Sequence, residues 1–371
     1  MKNAQRSVSS PKKFIIAKGL LTDPSDFVKD FGKNAFIVCD EFFMNDVSNK
    51  TIPALQKADV KSHLEKFNLE CTKVEVDRLR KIRADKGSDV IIGIGGGKTL
   101  DTAKAIAFYD NKPVIIIPTI ASTDAPCTAL SVLYKENGEF DQYLFLPENP
   151  DAVLADTQVL VNAPVRFFSA GVGDALATYF EARTCYNADG INLILKQPSK
   201  TGLGLSRMCF DILYENIEKA MDAVHNKVVT PAFEETIEAT IYLSGVGAES
   251  GGLAAAHAVN NGMSVIPELH RTQHGEKVVF GLLTQLVLEN TSTEELDKVF
   301  HIIKTANLPF CIDDFGLTEW DEEIWRQVAE LACAEGDTMS NMVRKTTPDD
   351  VYNAMVSANA LGKRYKEKFN K

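Results

Sequence analysis

Seven cysteines, Cys39, Cys71, Cys127, Cys185, Cys209, Cys311 and Cys333, include no C-x-x-C pair and leave one over in any pairing scheme. A disulfide framework is therefore not expected, and the cysteine usage suits a reducing cytoplasmic setting. Long hydrophobic runs are also missing. The apolar stretch near the N-terminus, Phe14–Leu21, is short and carries Lys18 in its middle, so neither a signal peptide nor a membrane partner is expected. Positive charge is in deficit: the formal net charge is −11, which argues against a nucleic-acid partner, whose phosphates need clustered Lys and Arg. A small anion could still meet a local positive site. No internal repeat of fixed period is visible. What remains is ordinary globular composition, 45% hydrophobic and 25% charged, in a 371-residue chain long enough that two domains are the default.

The stretch that organises the reading is Val90–Lys104, VIIGIGGGKTLDTAK. Val90, Ile91 and Ile92 suit a buried strand, while Leu100, Ala103 and Ala107 recur at helical spacing. Between them, Gly95, Gly96 and Gly97 let the backbone turn tightly and approach a ligand, with the N–H groups of the following helix pointing at it. This is a phosphate cradle, but not one of the two commonest. The fingerprint G-x-G-x-x-G needs glycine where Lys98 stands, and G-x-x-x-x-G-K-[ST] needs glycine at Ile92.

Strand and helix alternate around this loop. Lys13–Ala17 and Ala35–Cys39 read as strands, Pro53–Phe67 as a helix, Glu70–Val76 as a strand, Asp77–Gly87 as helical, and Pro113–Pro118 as a buried parallel strand. Asp40 ends the second strand, where a carboxylate either accepts hydrogen bonds from a ribose or caps the next segment. Thr119–Asp124 (TIASTD) follows the last strand, at the edge where α/β sheets bind ligands, although such residues are also ordinary turn formers.

After Asp156 the texture becomes helical. Asn162-Ala163-Pro164 is a helix-start signal, Pro231–Leu243, Glu294–Ala306 and Pro348–Arg364 are amphipathic, and Asp189–Thr201 is the one sizeable loop. The boundary falls near residue 162. In this half Asp174, His257 and His274 each lie among Gly and Ala residues; together they make a carboxylate and two imidazoles, a donor set for zinc with a fourth position open. Each is equally a satisfied core or surface group unless the three meet in space. His270 and His274 are four apart, but Arg271 stands where a zinc-protease helix needs glutamate.

Taken together, GGGKTLDTAK (Gly95–Lys104), PTIASTDAPCTALSVLY (Pro118–Tyr134), GDALATYFEA (Gly173–Ala182), AAAHAVNNG (Ala254–Gly262) and HGEKVVFG (His274–Gly281) resemble the metal-dependent polyol dehydrogenases, the family of the glycerol dehydrogenases. Iron-containing alcohol dehydrogenases and dehydroquinate synthase are its relatives. The resemblance implies a dehydroquinate synthase-like fold: an α/β N-terminal dinucleotide-binding domain over residues 1–162 and an all-α C-terminal metal- and substrate-binding domain over 163–371. It implies NAD and Zn2+ as cofactors and a small polyol as substrate. Gly95, Gly96, Gly97 and Lys98, with Thr99 and Leu100, would hold the pyrophosphate, and Asp40 the ribose. Thr119, Ser122, Thr128, Leu130 and Tyr134 would line the nicotinamide end, Asp124 would contact substrate hydroxyls, and Asp174, His257 and His274 would bind the metal. A homo-oligomer, as rings or dimers, is implied too. Iron-dependent relatives place a further histidine one turn after the aspartate; this chain has Thr178 there, and Asp189–Ser206 is not closely family-like.

The function implied is NAD-dependent oxidation of glycerol or a similar vicinal diol to the hydroxyketone. A dehydroquinate synthase-like cyclase would need several Lys and Arg for a phosphate and a carboxylate, whereas only Arg271 and Lys277 lie near the histidines. A non-catalytic NAD or polyol sensor would need no metal ligand set.

Overall fold

The computed structural model describes residues 5–369, and the chain divides into two compact units. One comprises Ser9–Pro164 with Asn226–Thr230; the other comprises Val165–His225, Pro231 onward and the described residues before Ser9.

The first unit is built on a six-stranded parallel sheet. Its strands are β1 (Phe14–Ala17), β2 (Asn34–Cys39), β3 (Lys61–Lys66), β4 (Val90–Gly95), β5 (Val114–Pro118) and β8 (Ala152–Asp156), in the spatial order β1-β8-β5-β4-β2-β3. β4, β5 and β8 are buried along their whole length, which is why β4 and β5 read as apolar runs. After β3 the chain returns across β2 to form β4, so the order reverses between β2 and β4. Those two strands end at Cys39, just before Asp40, and at Gly95. Helices α1 (Lys73–Lys86) and α2 (Gly97–Asp110) belong to this unit, as does an antiparallel hairpin of β6 (Leu130–Tyr134) and β7 (Phe140–Phe145). Its turn passes through Asn137 and Gly138, the latter at φ 84°.

Two segments differ from the sequence reading. The expected helix from Pro53 stops at Lys57, and residues 61–66, KSHLEK, form strand β3 instead. Among the described residues β3 pairs only with β2, so it lacks the apolar signature of a central strand. The expected strand Glu70–Val76 is the start of α1: the Thr72 hydroxyl accepts from the Glu75 N–H at 3.1 Å, an N-cap that the T-x-x-E spacing announces. The hairpin and β8 carried no strand assignment.

The second unit is helical among the described residues: α3 (Val165–Asn187), α4 (Lys200–Asn226), α5 (Ser244–Gly251), α6 (Ala255–Gly262), α7 (His274–Leu288), α8 (Thr293–Thr305), α9 (Glu322–Ala332) and α10 (Pro348–Phe369), with shorter turns between. No helix of the described residues is long and apolar enough to cross a membrane. α7 is pressed between α3 and α6 with almost no side-chain spacer. A Cβ on Gly275 would lie 1.8 Å from Ala170 O on α3, and one on Gly281 would lie 2.1 Å from Ala256 O on α6.

That contact is testable. Gly281→Ala drives a methyl into backbone that cannot yield as a side chain would, and is expected to cost about 1–3 kcal/mol in urea unfolding. Gly204→Ala, on α4 with nothing within 4 Å of its Cβ, is expected to be neutral or stabilising. Equal stability of the two variants would contradict the close approach of α6 and α7.

Candidate active site

In the α/β unit the glycine loop and Asp40 meet at the reversal of strand order, where open parallel sheets bind their ligands. Asp40 N–H donates to Ile94 O at 3.1 Å, and a Cβ on Gly95 would come within 2.8 Å of the Asp40 carboxylate. Burial raises the Asp40 carboxyl above its usual range, while the N–H groups of Phe43, Phe42 and Gly96 and the Thr119 hydroxyl hold it in the opposite direction. Gly96 caps α2 in an extended conformation, and the first intrahelical bond runs from Leu100 N–H to Gly96 O at 3.1 Å. The N–H groups of Gly97, Lys98 and Thr99 therefore have no acceptor within the helix. Leu100 turns into the core against Gly93, its own N–H already engaged.

Lys98 reaches Glu70 at 2.6 Å and lies 4.8 Å from the centre of the Tyr134 ring. Thr119, Ser122 and Thr128 are buried, Leu130 and Tyr134 bracket β6, and Asp124 is half-buried in the loop before it. Thr119 N–H donates to Gly95 O at 3.0 Å, which ties the segment after β5 to the glycine loop.

Two residues that sequence reasoning left without a role hold this loop. Lys104 is fully buried, pairs with Asp101 at 2.9 Å, and donates to Ala125 O at 2.9 Å, to Thr128 O at 3.3 Å and to Leu130 O. Asp101 in turn accepts from Val132 N–H at 3.0 Å. One ion pair thus fixes the backbone on both sides of Thr128, starting from the residue next to Asp124. The available signal was a pair of opposite charges three apart on a helix otherwise buried through Thr99–Ala107.

In the helical unit Asp174 (α3), His257 (α6) and His274 (the first residue of α7) converge. Their ligand atoms all lie within 4.8 Å of one another. Asp174 Oδ1 is 3.3 Å from His274 Nε2 and 3.5 Å from His257 Nε2. Those separations are long for hydrogen bonds but match the distance of about 3.3 Å between two ligands of a tetrahedral ion with ligand bonds near 2.0–2.1 Å. The donor set fits a divalent metal.

A further residue, Glu181, completes the arrangement. It lies two turns beyond Asp174 on α3 and is wholly buried. One oxygen accepts from His257 Nδ1 at 2.6 Å; the other accepts from the backbone N–H of Ala254 at 2.8 Å and of His257 at 2.9 Å. A carboxylate on Nδ1 keeps the proton there and leaves Nε2 to face Asp174. Its i+7 spacing from Asp174 inside an apolar helix was the signal in the sequence. Burial opposes charge on His257, but Glu181 and Asp174 prevail and hold its imidazole well above the usual range. Burial likewise opposes ionisation of Asp174, yet His274 and His257 hold that carboxyl below its usual range. Thr178, where iron-dependent relatives carry a histidine, shares a buried 2.8 Å hydrogen bond with Ser244.

A family model described as iron-containing alcohol dehydrogenase matches residues 11–157. The chain is 46% identical to a glycerol dehydrogenase of Pseudomonas putida over 362 residues, 98% of this chain and 99% of that one. The chain belongs to the iron-containing alcohol dehydrogenase family, among its glycerol dehydrogenases. A glycerol dehydrogenase of Citrobacter freundii is 43% identical over 96% of this chain and 98% of its own. The crystal structure of glycerol dehydrogenase from Schizosaccharomyces pombe superposes with a TM-score of 0.94 at 34% identity, covering 99% of this chain and 94% of that one. The family is one of NAD-dependent, metal-containing dehydrogenases, and in this member the candidate metal ligands are Asp174, His257 and His274.

Lys104→Met leaves Asp101 buried without its cation and is expected to cost about 3–5 kcal/mol in urea unfolding, as breaking one side of a buried pair does. Adding Asp101→Leu should recover part of that loss. A double variant no more stable than Lys104→Met would mean that the pair does not act as a unit.

Proposed function

We propose that the protein oxidises glycerol, or a similar vicinal diol, to the hydroxyketone with NAD as hydride acceptor and zinc as the metal. The observation that carries the reading is the meeting of one carboxylate and two imidazoles within 4.8 Å, in a chain similar to glycerol dehydrogenases over nearly its whole length. Bound at Asp174, His257 and His274, the metal would supply Lewis-acid polarisation of the substrate hydroxyl. NAD would take the hydride.

The protein's own groups do the rest. The free N–H groups of Gly97, Lys98 and Thr99 suit a pyrophosphate, with Gly95 and Gly96 allowing close approach and Lys98 exchanging Glu70 for phosphate. Leu100 supports that turn from the core. Asp40 at the end of β2 suits a ribose and disfavours a ribose phosphate. Thr119, Ser122, Thr128, Leu130 and Tyr134 are assigned to the nicotinamide end, and Asp124 to a substrate hydroxyl that is not oxidised. Glu181 holds His257 in its ligating tautomer. Zinc is preferred because three protein ligands suit a catalytic zinc site, and Thr178 supplies no fourth imidazole. We also assign the chain to the cytoplasm, in line with seven free cysteines, and to a homo-oligomer, which light scattering would test.

The cyclase reading is less favoured, because Arg166, near the histidines, is held by Glu276 at 2.7 Å and few other basic groups are at hand. A sensor reading leaves the metal ligand set without a use.

NADH formation with glycerol is expected to require one zinc per chain and to stop on chelation; full turnover by protein shown metal-free by elemental analysis would overturn the mechanism. Asp124→Asn is expected to lower kcat/KM for glycerol and 1,2-propanediol roughly ten- to a hundredfold, and far less for a mono-alcohol, with zinc content unchanged. Equal proportional losses for diols and mono-alcohols would make Asp124 a turn residue.

A further inference from the structure

The joint between α5 and α6 ends three residues before His257, and its backbone is held by side chains from distant parts of the chain. α5 ends at Gly251, Gly252 turns the chain at φ 93°, and α6 begins at Ala255. A Cβ on Gly252 would lie 2.4 Å from Cys185 Sγ on α3, so the turn is pressed against that helix. Ala254 occupies the N-cap of α6 and has no side chain with which to cap it. Glu181 caps it instead: the oxygen that accepts the Ala254 N–H at 2.8 Å also accepts the His257 N–H at 2.9 Å.

The carbonyls of the same joint are bound from the other side by a short turn, Thr338–Asn341. Thr338 Oγ1 donates to Ala254 O at 2.7 Å, and Asn341 Nδ2 donates to Leu253 O at 2.8 Å. The Asn341 amide also closes on the loop that follows α3, donating to Ile191 O and accepting from the Ile191 N–H, each at 2.9 Å. A Cβ on Gly190 would come within 2.4 Å of its oxygen. Asn341 is 5% exposed, and both its amide protons and its oxygen are committed, which leaves the side chain one orientation. Asp337, which caps the turn, accepts from Asn261 near the end of α6 at 3.1 Å. The turn therefore grips α6 at its start and again in its last turn. This clasp gives a use to the stretch Asp189–Ser206, which carried no assignment in the sequence.

We infer that Thr338 and Asn341 are positioning residues for the metal centre: they fix the joint from which α6 presents His257, and Glu181 extends that restraint to the imidazole. The inference rests on the reading of Asp174, His257 and His274 as metal ligands. Ligand distances tolerate displacements of only about 0.2 Å. His257 is the third residue of α6, so a shift of the joint reaches its Nε2 directly. Glu181 Oε2 accepts from His257 Nδ1 at 2.6 Å while its other oxygen holds the joint, so backbone and ring are referred to one carboxylate. Without Thr338 and Asn341 the carbonyls of Leu253 and Ala254 lose their side-chain donors, and Glu181 alone opposes a swing of the joint.

The experiment measures Zn2+ affinity by chelator competition in the metal-stripped full chain, together with the absorption spectrum of the Co2+-loaded protein. Asn341→Leu and Thr338→Val keep the shape of each side chain and remove its hydrogen bonds. Each should weaken Zn2+ binding about 10–100-fold and alter the Co2+ spectrum, with NADH binding unchanged. Thr338→Ser, which keeps the hydroxyl, should bind Zn2+ as the wild type does. Ile303→Ala opens a cavity in α8, where Ile303 is fully buried, and serves as the control: it should lower urea stability and leave Zn2+ affinity alone. If Asn341→Leu does not fold, Thr338→Val and Thr338→Ser carry the test. Wild-type Zn2+ affinity in Thr338→Val, failure of Thr338→Ser to restore it, or an equal loss in Ile303→Ala would overturn the inference alone. A wild type that binds no divalent metal would remove the reading of the three ligands as well.

Discussion

The helical unit depends on backbone approaching backbone. Gly173 and Gly275 bring α3 and α7 together, and Gly281 sets α7 against Ala256 of α6, at distances that leave no room for a methyl group. Side chains as short as aspartate and histidine can meet at a point only if their helices come this close. The candidate metal centre is thus a product of missing atoms as much as of the three ligands. Glu181 then converts proximity into orientation, because its two oxygens hold both the imidazole of His257 and the start of α6.

The α/β unit solves a different problem, that of holding an irregular segment still. Residues 119–130 have little regular structure, yet several of them carry proposed contacts. Lys104 replaces the missing backbone ladder with an amine to which three carbonyls turn, and Asp101 pairs with it inside the protein. A buried ion pair of this kind is poor at adding stability and good at specifying one conformation. That is what a loop presenting hydroxyls to a cofactor requires.

How much of this was legible in the sequence depended on the kind of signal. The strands β4 and β5 and the glycine loop were plain, since burial on both faces produces unbroken apolar runs and a phosphate turn produces glycine. Asp174, His257 and His274 could be picked out by type, but their meeting depends on contacts far apart in the chain. Glu181, Asp101 and Lys104 escaped because a buried charge in a helix looks like a solvated one until its partners are known. The T-x-x-E cap at Thr72 is a readable signal, but the residues around it also fit the strand assigned to Glu70–Val76. Strand β3 offered no signal at all, because its polarity is that of a surface helix.

That polarity has a consequence of its own. Parallel strands buried on both faces invite further strands, and the outer edge of β3 carries unpaired backbone groups that could recruit one from another chain. Lys61 and Lys66 stand at its two ends, Lys66 paired with Glu41 at 2.9 Å. A strand arriving there would have to desolvate charged groups to pair with it. The residues that disguise β3 in the sequence are therefore also those that make its outer edge a poor template for another strand.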